Sequence, residues 1–162
     1  MKSSATEAGR FATQDGTELY YELRGAGTPV VLVAGVGDDI ASWDTVEPLA
    51  DDHLLVAYDN RGVSRSSTPR GPYSIEAMAD DAHALARHLD LEPVAAIGSS
   101  MGGAICQRWA LRRPDDIARL VLTNTWGAPD PRLDALLAHW SSLAEQGDGR
   151  NLLASIALSC FS

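Results

Sequence analysis

Four short apolar runs recur along this 162-residue chain, and they constrain its fold more than any other feature. They are PVVLVAG (29–35), LLVAYD (54–59), VAAIG (94–98) and RLVLTN (119–124). A run without alternating polar residues predicts a strand that is covered on both faces, as in parallel sheets. The chain is therefore expected to build layers of sheet and helix.

The segments between these runs have helical patterns. Ser74 is a predicted helix cap, and the apolar residues after it recur at helical spacing: Ile75, Met78, Ala82, Leu85 and Leu89. Further helices are predicted over 101–113 and, more briefly, over 43–49. Strands that alternate with helices predict a mostly parallel, doubly wound α/β sheet.

The two ends of the chain depart from this alternation. Residues 10–27 alternate in polarity around the turn pair Asp15–Gly16, which predicts an antiparallel N-terminal hairpin. After residue 131 the pattern is helical, with a break at EQGDGRN (145–151) and no further strand. The helical positions are Leu133, Leu136, Leu137, Trp140 and Leu143. We divide the chain into a sheet core over 1–128 and the start of a helical cap over 129–162.

Composition narrows the classes of partner. The net charge of -9 argues against nucleic acid and anionic membranes, and no apolar run is long enough to span a bilayer. The N-terminus has no apolar segment typical of a secretory signal, so a cytoplasmic location is expected. Cys106 and Cys160 are interpreted as free core thiols, and no metal or cofactor motif is found.

The motif GSSMG (98–102) joins an apolar strand to a helix. In the frame Gly-x-Ser-x-Gly its centre is Ser100, whereas a frame centred on Ser99 loses both glycines. Such a sharp strand-to-helix turn strains the backbone and projects the serine hydroxyl beside the helix N-terminus. The alternative is a glycine-rich turn with incidental serines, but the position of the motif favours Ser100 as a nucleophile.

The flanking glycines have a physical role in this prediction. Side chains two residues before and after the serine would collide in so tight a turn, and Gly98 and Gly102 remove them. An attacked carbonyl also needs two N–H donors for its developing oxyanion. We expect these from Met101 and from Val36, in the AGVG loop that follows the first apolar run. An ordinary turn between strand and helix stays open as the alternative for that loop.

A third polar segment, YDNRGVSRSSTP (58–69), follows the second apolar run, and a structural role is expected for its Arg61–Gly62 pair. Together these motifs resemble the α/β-hydrolase family, from about Gly16 onward. GSSMGG resembles its nucleophile elbow. AGVG has Ala34 where the family has histidine, and DNRGVSRSS has Ser64 where the family has a second glycine. LVLTNTWGAPDPRL (120–133) resembles a subgroup near 3-oxoadipate enol-lactonases and polyketide methylesterases.

The resemblance implies a triad in the chain order Ser, Asp or Glu, His. His139 is the only histidine after Ser100. It lies on the predicted cap helix, so we do not assign it as the base. The other histidines precede the serine: His53, His83 and His88. His83 and His88 are interpreted as solvated or edge side chains. We expect this chain to be the amino-terminal portion of a hydrolase sheet, truncated before the last strands and completed by a C-terminal segment or a second chain.

The resulting prediction is a cofactor-independent serine hydrolase of small carboxylic esters or lactones. A cofactor-free haloperoxidase-like enzyme or a C–C bond hydrolase would use the same fold. A non-catalytic binding or interaction module, or an inactive fragment, is the alternative from another class.

Overall fold

A computed structural model of the chain describes residues 6–128 and 130–161, with side chains as far as residue 159. The chain divides into two compact units, Met1–Gly127 and Ala128–Ser162, which are described separately below. The predicted boundary after residue 128 lies one residue from this division. That the second unit is the start of a cap stays a prediction.

The first unit is built on a six-stranded sheet with the strand order β1-β2-β4-β3-β5-β6. The strands are β1 (Glu7–Ala12), β2 (Glu18–Gly25), β3 (Thr28–Val33), β4 (His53–Tyr58), β5 (Val94–Ser99) and β6 (Ile117–Thr123). Strands β3 to β6 pair with one another in parallel, whereas β1 pairs with β2, and β2 with β4, in antiparallel fashion. The mostly parallel α/β class with an N-terminal antiparallel hairpin is confirmed.

The hairpin turn lies where the Asp15–Gly16 pair predicts it. Gly16 has a φ of 83°, in the left-handed region that glycine tolerates without a steric penalty. The Gly16 N–H donates to the Thr13 carbonyl at 3.0 Å, and the Thr13 N–H donates to the Thr17 carbonyl at 2.9 Å. These bonds close the turn and set the register of β1 against β2.

Helices cover the two faces of the sheet. One face packs against α1 (Ile75–His88) and α2 (Met101–Arg112), and the other packs against the 3-10 helix Ile40–Asp51. A second 3-10 helix, Pro114–Asp116, precedes β6. The predicted cap of α1 is present, since Ser74 Oγ accepts a hydrogen bond from the Ala77 N–H at 3.1 Å. The short helix predicted over 43–49 is longer than expected and has 3-10 geometry, with Pro48 inside it.

The central strands send alternate side chains into two separate apolar clusters. In β3, Val31 and Val33 face α1 and α2, whereas Val30 and Leu32 face the 3-10 helix. Both clusters are buried, which is why these strands are apolar at successive positions. Cys106 is fully buried in the first cluster, and burial raises the pKa of its thiol to about 12, as expected of a core thiol. The side chain of Cys160 lies outside the described residues.

Strand β6 differs from the other parallel strands. It pairs with β5 along one edge, and no strand of the described residues pairs with its other edge. Leu120, Val121 and Leu122 are 37%, 48% and 40% exposed. The apolar pattern of residues 119–124 suits burial on both faces beside a further strand. Without such a strand among the described residues, the open edge and partial exposure of β6 agree with the prediction of a sheet truncated before its last strands.

The second unit consists of two helices, α3 (Pro131–Glu145) and α4 (Gly149–Phe161). The Asp130 carboxylate accepts from the Arg132 N–H at 2.9 Å and caps α3. The indole N–H of Trp140 donates to Ser155 Oγ at 3.0 Å and joins the two helices. The helix-break-helix pattern predicted for this region is confirmed. None of the described helices combines the length and apolar character that crossing a membrane requires.

Candidate active site

Ser100 is the single residue between the end of β5 and the start of α2, and its backbone is strained. Its φ is 54° and its ψ is -120°, a combination that non-glycine residues rarely adopt. Neighbouring groups hold this geometry. The Ser100 N–H donates to the Thr123 carbonyl at 3.0 Å, and the Ser100 carbonyl accepts from Thr125 Oγ1 at 2.7 Å. Strain that is fixed from both sides is typical of a functional turn.

The glycines around Ser100 permit close backbone approaches. A Cβ on Gly98 would lie against the carbonyl of Gly102, at the opposite end of the turn. A Cβ on Gly102 would collide with the carbonyls of Val33 and Ala34 at the end of β3. A side chain would therefore collide at both positions. At Gly102 the collision is with the end of β3 rather than with Gly98.

The loop after β3 lies against this turn. A Cβ built on Gly35 would be 3.4 Å from Ser100 Cβ. Gly37 has a φ of 75°, so the loop uses a glycine where the backbone is left-handed. No acceptor in the part of the chain that the structure describes takes the N–H of Val36 or Met101. The structure brings loop and elbow together, and the oxyanion assignment of these two amides stays a prediction.

Arg61 is engaged in a buried ion pair. Its Nε and Nη2 each donate to the Asp81 carboxylate at 2.6 Å, and its Nη1 donates to Asp15 at 3.0 Å. The hydrogen bonds that Arg61 donates to Asp81 raise the pKa of Arg61, whereas burial raises the pKa of the Asp81 carboxyl. These contacts anchor the segment after β4 on α1 and on the hairpin, which agrees with the structural role expected for Arg61. Ser64, which replaces a family glycine, has a left-handed φ of 44°.

The three histidines of the first unit contact groups other than Ser100. His53 Nδ1 lies 3.3 Å from the Leu49 carbonyl, and the His88 ring stacks on Phe11 with ring centroids 4.6 Å apart. His83 Nδ1 lies within ion-pair distance of two carboxylates. His83 is half-buried, which fits an edge position, and the fold brings two carboxylates to it that sequence reasoning did not predict. In the second unit, His139 is exposed on α3.

The partners of His83 are Glu92 at 2.9 Å and Asp116 at 2.7 Å, and one donor atom of each side chain lies within 4.8 Å of the others. Among the described residues, these three side chains are the types that bind metal ions and lie close enough together to share one. Their spacing in the sequence does not predict this cluster. Burial and the charge of Asp116 raise the pKa of Glu92. Because Glu92 precedes β5 and Ser100 follows it, the group lies at the opposite end of that strand from the candidate nucleophile.

A groove of about 760 Å³ also lies apart from Ser100. It runs beside the β1–β2 hairpin and α1, and its lining includes Phe11, Asp15, Arg61 and His83. Neither Ser100 nor Met101 borders it. Its shape therefore says nothing about a substrate of the elbow.

Two supporting residues of the elbow are missed by sequence reasoning. Thr125 donates to the Ser100 carbonyl, and a Cβ on Gly103 would overlap the Thr125 side chain. Asn60 donates from its side chain to the Ala34 carbonyl at 3.3 Å. For the Thr125 contact, the only signal in the local sequence is the second glycine of GSSMGG, Gly103. For the Asn60 contact the local sequence gives no signal, because the contact depends on β4 lying beside β3.

Several relatives and solved structures that resemble this chain are named as hydrolases. One relative is RutD from Azorhizobium caulinodans, which is named provisionally as a carbamate hydrolase. It is 38% identical to this chain over 124 residues. That match covers 74% of this chain and 46% of RutD. A thermophilic esterase from Thermogutta terrifontis is 32% identical, with a TM-score of 0.76 and coverage of 86% of this chain and 53% of the esterase.

A further solved structure, an alpha/beta hydrolase enzyme from a Medee basin deep-sea metagenome library, has a TM-score of 0.85 at 26% identity. The match covers 91% of this chain and 55% of the metagenome enzyme. The chain thus spans about half the length of the proteins it matches. The family model described as the alpha/beta hydrolase fold matches residues 28–156. On this match and on its sheet and elbow, the chain belongs to the α/β-hydrolase fold family.

Proposed function

We propose that this chain carries the nucleophile and the oxyanion donors of a serine hydrolase that acts on small carboxylic esters or lactones. The observation that carries the proposal is the backbone of Ser100, at φ 54° and ψ -120° between β5 and α2. A strained serine at this junction presents its hydroxyl at the carboxyl edge of the sheet. No cofactor is needed for this chemistry.

The reaction follows from the groups around the turn. Ser100 Oγ attacks the substrate carbonyl, and a general base takes the hydroxyl proton. The carbonyl oxygen becomes an oxyanion, which the N–H groups of Val36 and Met101 stabilise; each such donor contributes about 10²–10³ in kcat. The protonated base then gives its proton to the leaving oxygen as the C–O bond breaks. Water hydrolyses the acyl-enzyme and releases the acid.

The base is proposed to come from residues outside 1–162, in the same polypeptide or in a second chain. His53, His83 and His88 contact other groups of the first unit, and His139 is exposed on α3. The apolar outer edge of β6 offers a position where such a segment would continue the sheet. We also propose a cytoplasmic location for the protein.

The names of two relatives fit acyl transfer. The name of RutD refers to a carbamate, and one structural neighbour is an esterase. Esters and carbamates both react by addition to a carbonyl carbon and loss of a heteroatom leaving group. The 38% identity to RutD makes a carbamate the second candidate substrate. A haloperoxidase-like or C–C bond hydrolase has no comparable support.

A fluorophosphonate probe tests this function. In the protein that contains residues 1–162 together with the segment supplying the base, the probe should label Ser100. Ser100→Ala should abolish labelling, and the adjacent control Ser99→Ala should retain most of it. Labelling at Ser99 would show that the frame of the motif is wrong.

Turnover by residues 1–162 alone tests the location of the base. We expect little or no hydrolysis of an activated ester, because loss of a general base removes several powers of ten in rate. Hydrolysis that is robust and lost in His139→Ala would instead place the base on α3. Absence of labelling in the complete protein would support the non-catalytic alternative.

A further inference from the structure

The loop that follows β3 is held at both ends by two consecutive residues at the end of β4. Asn60 Nδ2 donates to the Ala34 carbonyl at 3.3 Å, where the loop begins. Asp59 Oδ1 accepts from the Ile40 N–H at 3.0 Å, where the loop ends. Val36 lies between these two contacts. Asp59 and Asn60 are 0% and 1% exposed, so water does not compete for either bond.

Asp59 is itself anchored on the segment after β4. Its Oδ2 accepts from the Arg65 N–H at 3.1 Å and from Arg65 Nε at 2.9 Å. Its carbonyl accepts from Ser66 Oγ at 2.6 Å, and the same Ser66 oxygen accepts from the Tyr20 N–H at 2.9 Å. The two contacts to the loop therefore start from a segment that is fixed by its own internal hydrogen bonds and by β2.

The position of this loop bears on Ser100. Gly35 lies against the serine, and Gly102 lies against the carbonyls of Val33 and Ala34. An oxyanion donor acts only when it lies about 2.7–3.1 Å from the developing charge. A shift of the loop by a fraction of that distance would move the Val36 N–H out of reach, with a loss in rate rather than in fold.

We propose that Asn60 is a positioning residue for the oxyanion loop, acting through its hydrogen bond to the Ala34 carbonyl. This inference rests on the proposed function of Ser100 and Val36. Within the described residues Asn60 Oδ1 has no hydrogen-bond partner, although the side chain is buried. A buried acceptor without a partner lowers stability, so the amide is a poor choice for packing alone. Its Nδ2 donor is the group that the loop uses.

Asn60→Leu separates positioning from folding. Leucine has the same number of side-chain heavy atoms, removes the donor and also removes the unpartnered oxygen, so the two changes in stability oppose each other. We expect a thermal midpoint within about 4 °C of the original. The rate of Ser100 phosphonylation and the kcat for an activated ester should fall about 10- to 100-fold, somewhat less than for loss of a whole donor. KM should stay within about twofold, since the oxyanion forms in the transition state.

Thr17→Val is the matched control. Thr17 is 2% exposed, and its hydroxyl has no partner in the described part of the chain, but it lies in the β1–β2 hairpin. This variant should keep the original labelling rate and kcat. Hydrogen exchange over residues 34–40 gives a readout independent of catalysis, and it should rise in Asn60→Leu and stay unchanged in Thr17→Val.

The outcomes separate this inference from the proposed function. If Ser100 of the original protein is labelled and Asn60→Leu is labelled equally fast, the positioning role is wrong and the hydrolase stands. A loss of labelling that accompanies increased exchange throughout β3 to β5 would show a structural role only, and would also refute the inference. If the original protein is not labelled, the proposed function fails, and with it the catalytic meaning of the loop contact.

Discussion

The two outer strands of the sheet, β1 and β6, differ in composition although each pairs with one neighbour. Strand β1 reads EAGRFA and has charged side chains, among them Arg10, which pairs with Glu18 of β2. Strand β6 reads IARLVLT, with three successive apolar side chains that are each more than a third exposed. Charges on an edge strand discourage pairing with other chains, and β6 has only Arg119. The composition of β1 suits an edge, whereas that of β6 suits the interior of a sheet.

Strand β3 is the interior reference for this comparison. Leu32 of β3, Ile97 of β5 and Val121 of β6 are in register and form one row across the sheet. Leu32 is 1% exposed and Val121 is 48% exposed. Two strands with similar apolar patterns therefore lie in different surroundings. The apolar pattern of a strand indicates how much burial its side chains favour. The actual burial depends on which strands lie beside it.

The largest expected effect comes from introducing lysine into this row. Leu32→Lys would bury an unpaired charge, which costs several kcal/mol, about as much as the whole stability of a domain. We expect the variant to be unfolded or insoluble. Val121→Lys places the charge at the exposed end of the same row and should change the free energy of unfolding by less than about 1 kcal/mol. Circular dichroism with urea unfolding measures both. Equal losses in the two variants would show that β6 is covered.

The same contrast applies to two adjacent carboxylates on α1. The Asp81 side chain is 4% exposed and holds the buried guanidinium of Arg61, whereas Asp80 is 43% exposed and pairs with Arg112 and Arg113. Asp81→Ala leaves the buried guanidinium with only the exposed carboxylate of Asp15 as a charged partner, and should destabilise the chain by about 3–5 kcal/mol. Asp80→Ala should cost about 0–1 kcal/mol. Urea unfolding of the pair measures the difference, and similar losses would mean that the Arg61 pair is exposed in solution.

Self-association tests the open edge directly. An uncharged edge recruits strands from other chains, so the 17.2 kDa chain should sediment above its monomer mass. Val121→Lys should weaken the association about tenfold or more, equivalent to about 1.4 kcal/mol. The control Ala8→Lys, on the already charged edge strand β1, should leave it unchanged. A compact monomer with a cooperative thermal transition for the original chain would refute this view of β6.

The features that sequence predicted are those that short stretches encode. The central strands follow from apolar runs, the hairpin from Asp15–Gly16, and the elbow from glycines at fixed offsets around Ser100. The contacts that sequence missed join distant parts of the chain. Asn60 and Ala34 are 26 residues apart and meet because β4 pairs with β3. No local pattern contains the order of strands in a sheet.

His83 and the exposure of β6 illustrate the same limit. His83 has helical spacing typical of a half-exposed position, yet its carboxylate partners come from two other elements, one before β5 and one before β6. The apolar pattern of β6 alone indicates cover on both faces. Its open edge is predicted only by the family resemblance, which places a later strand beside it, and the described strands supply a neighbour on one edge. In both cases the residue pattern is local and the contact depends on the whole sheet.

The smallest expected effect concerns the seam between β5 and β6, where Glu92 and Asp116 precede the two strands. Burial, and then the charge of Asp116, raise the pKa of Glu92 above its ordinary value of 4.5 in the folded chain. The folded state therefore holds this proton more tightly than the unfolded state. Stability falls as pH rises from about 4.5 through the folded pKa and then levels off. Since the side chain is 20% exposed, we expect less than about 1 kcal/mol.

Glu92→Gln should remove this decline, as measured by urea unfolding at several pH values between 5 and 7. The control is Glu76→Gln at the start of α1. Its own backbone N–H and Arg108 lower the pKa of Glu76, so its contribution has the opposite sign and is lost as pH falls. If Glu92→Gln keeps the original slope, the carboxylates at the seam are solvated.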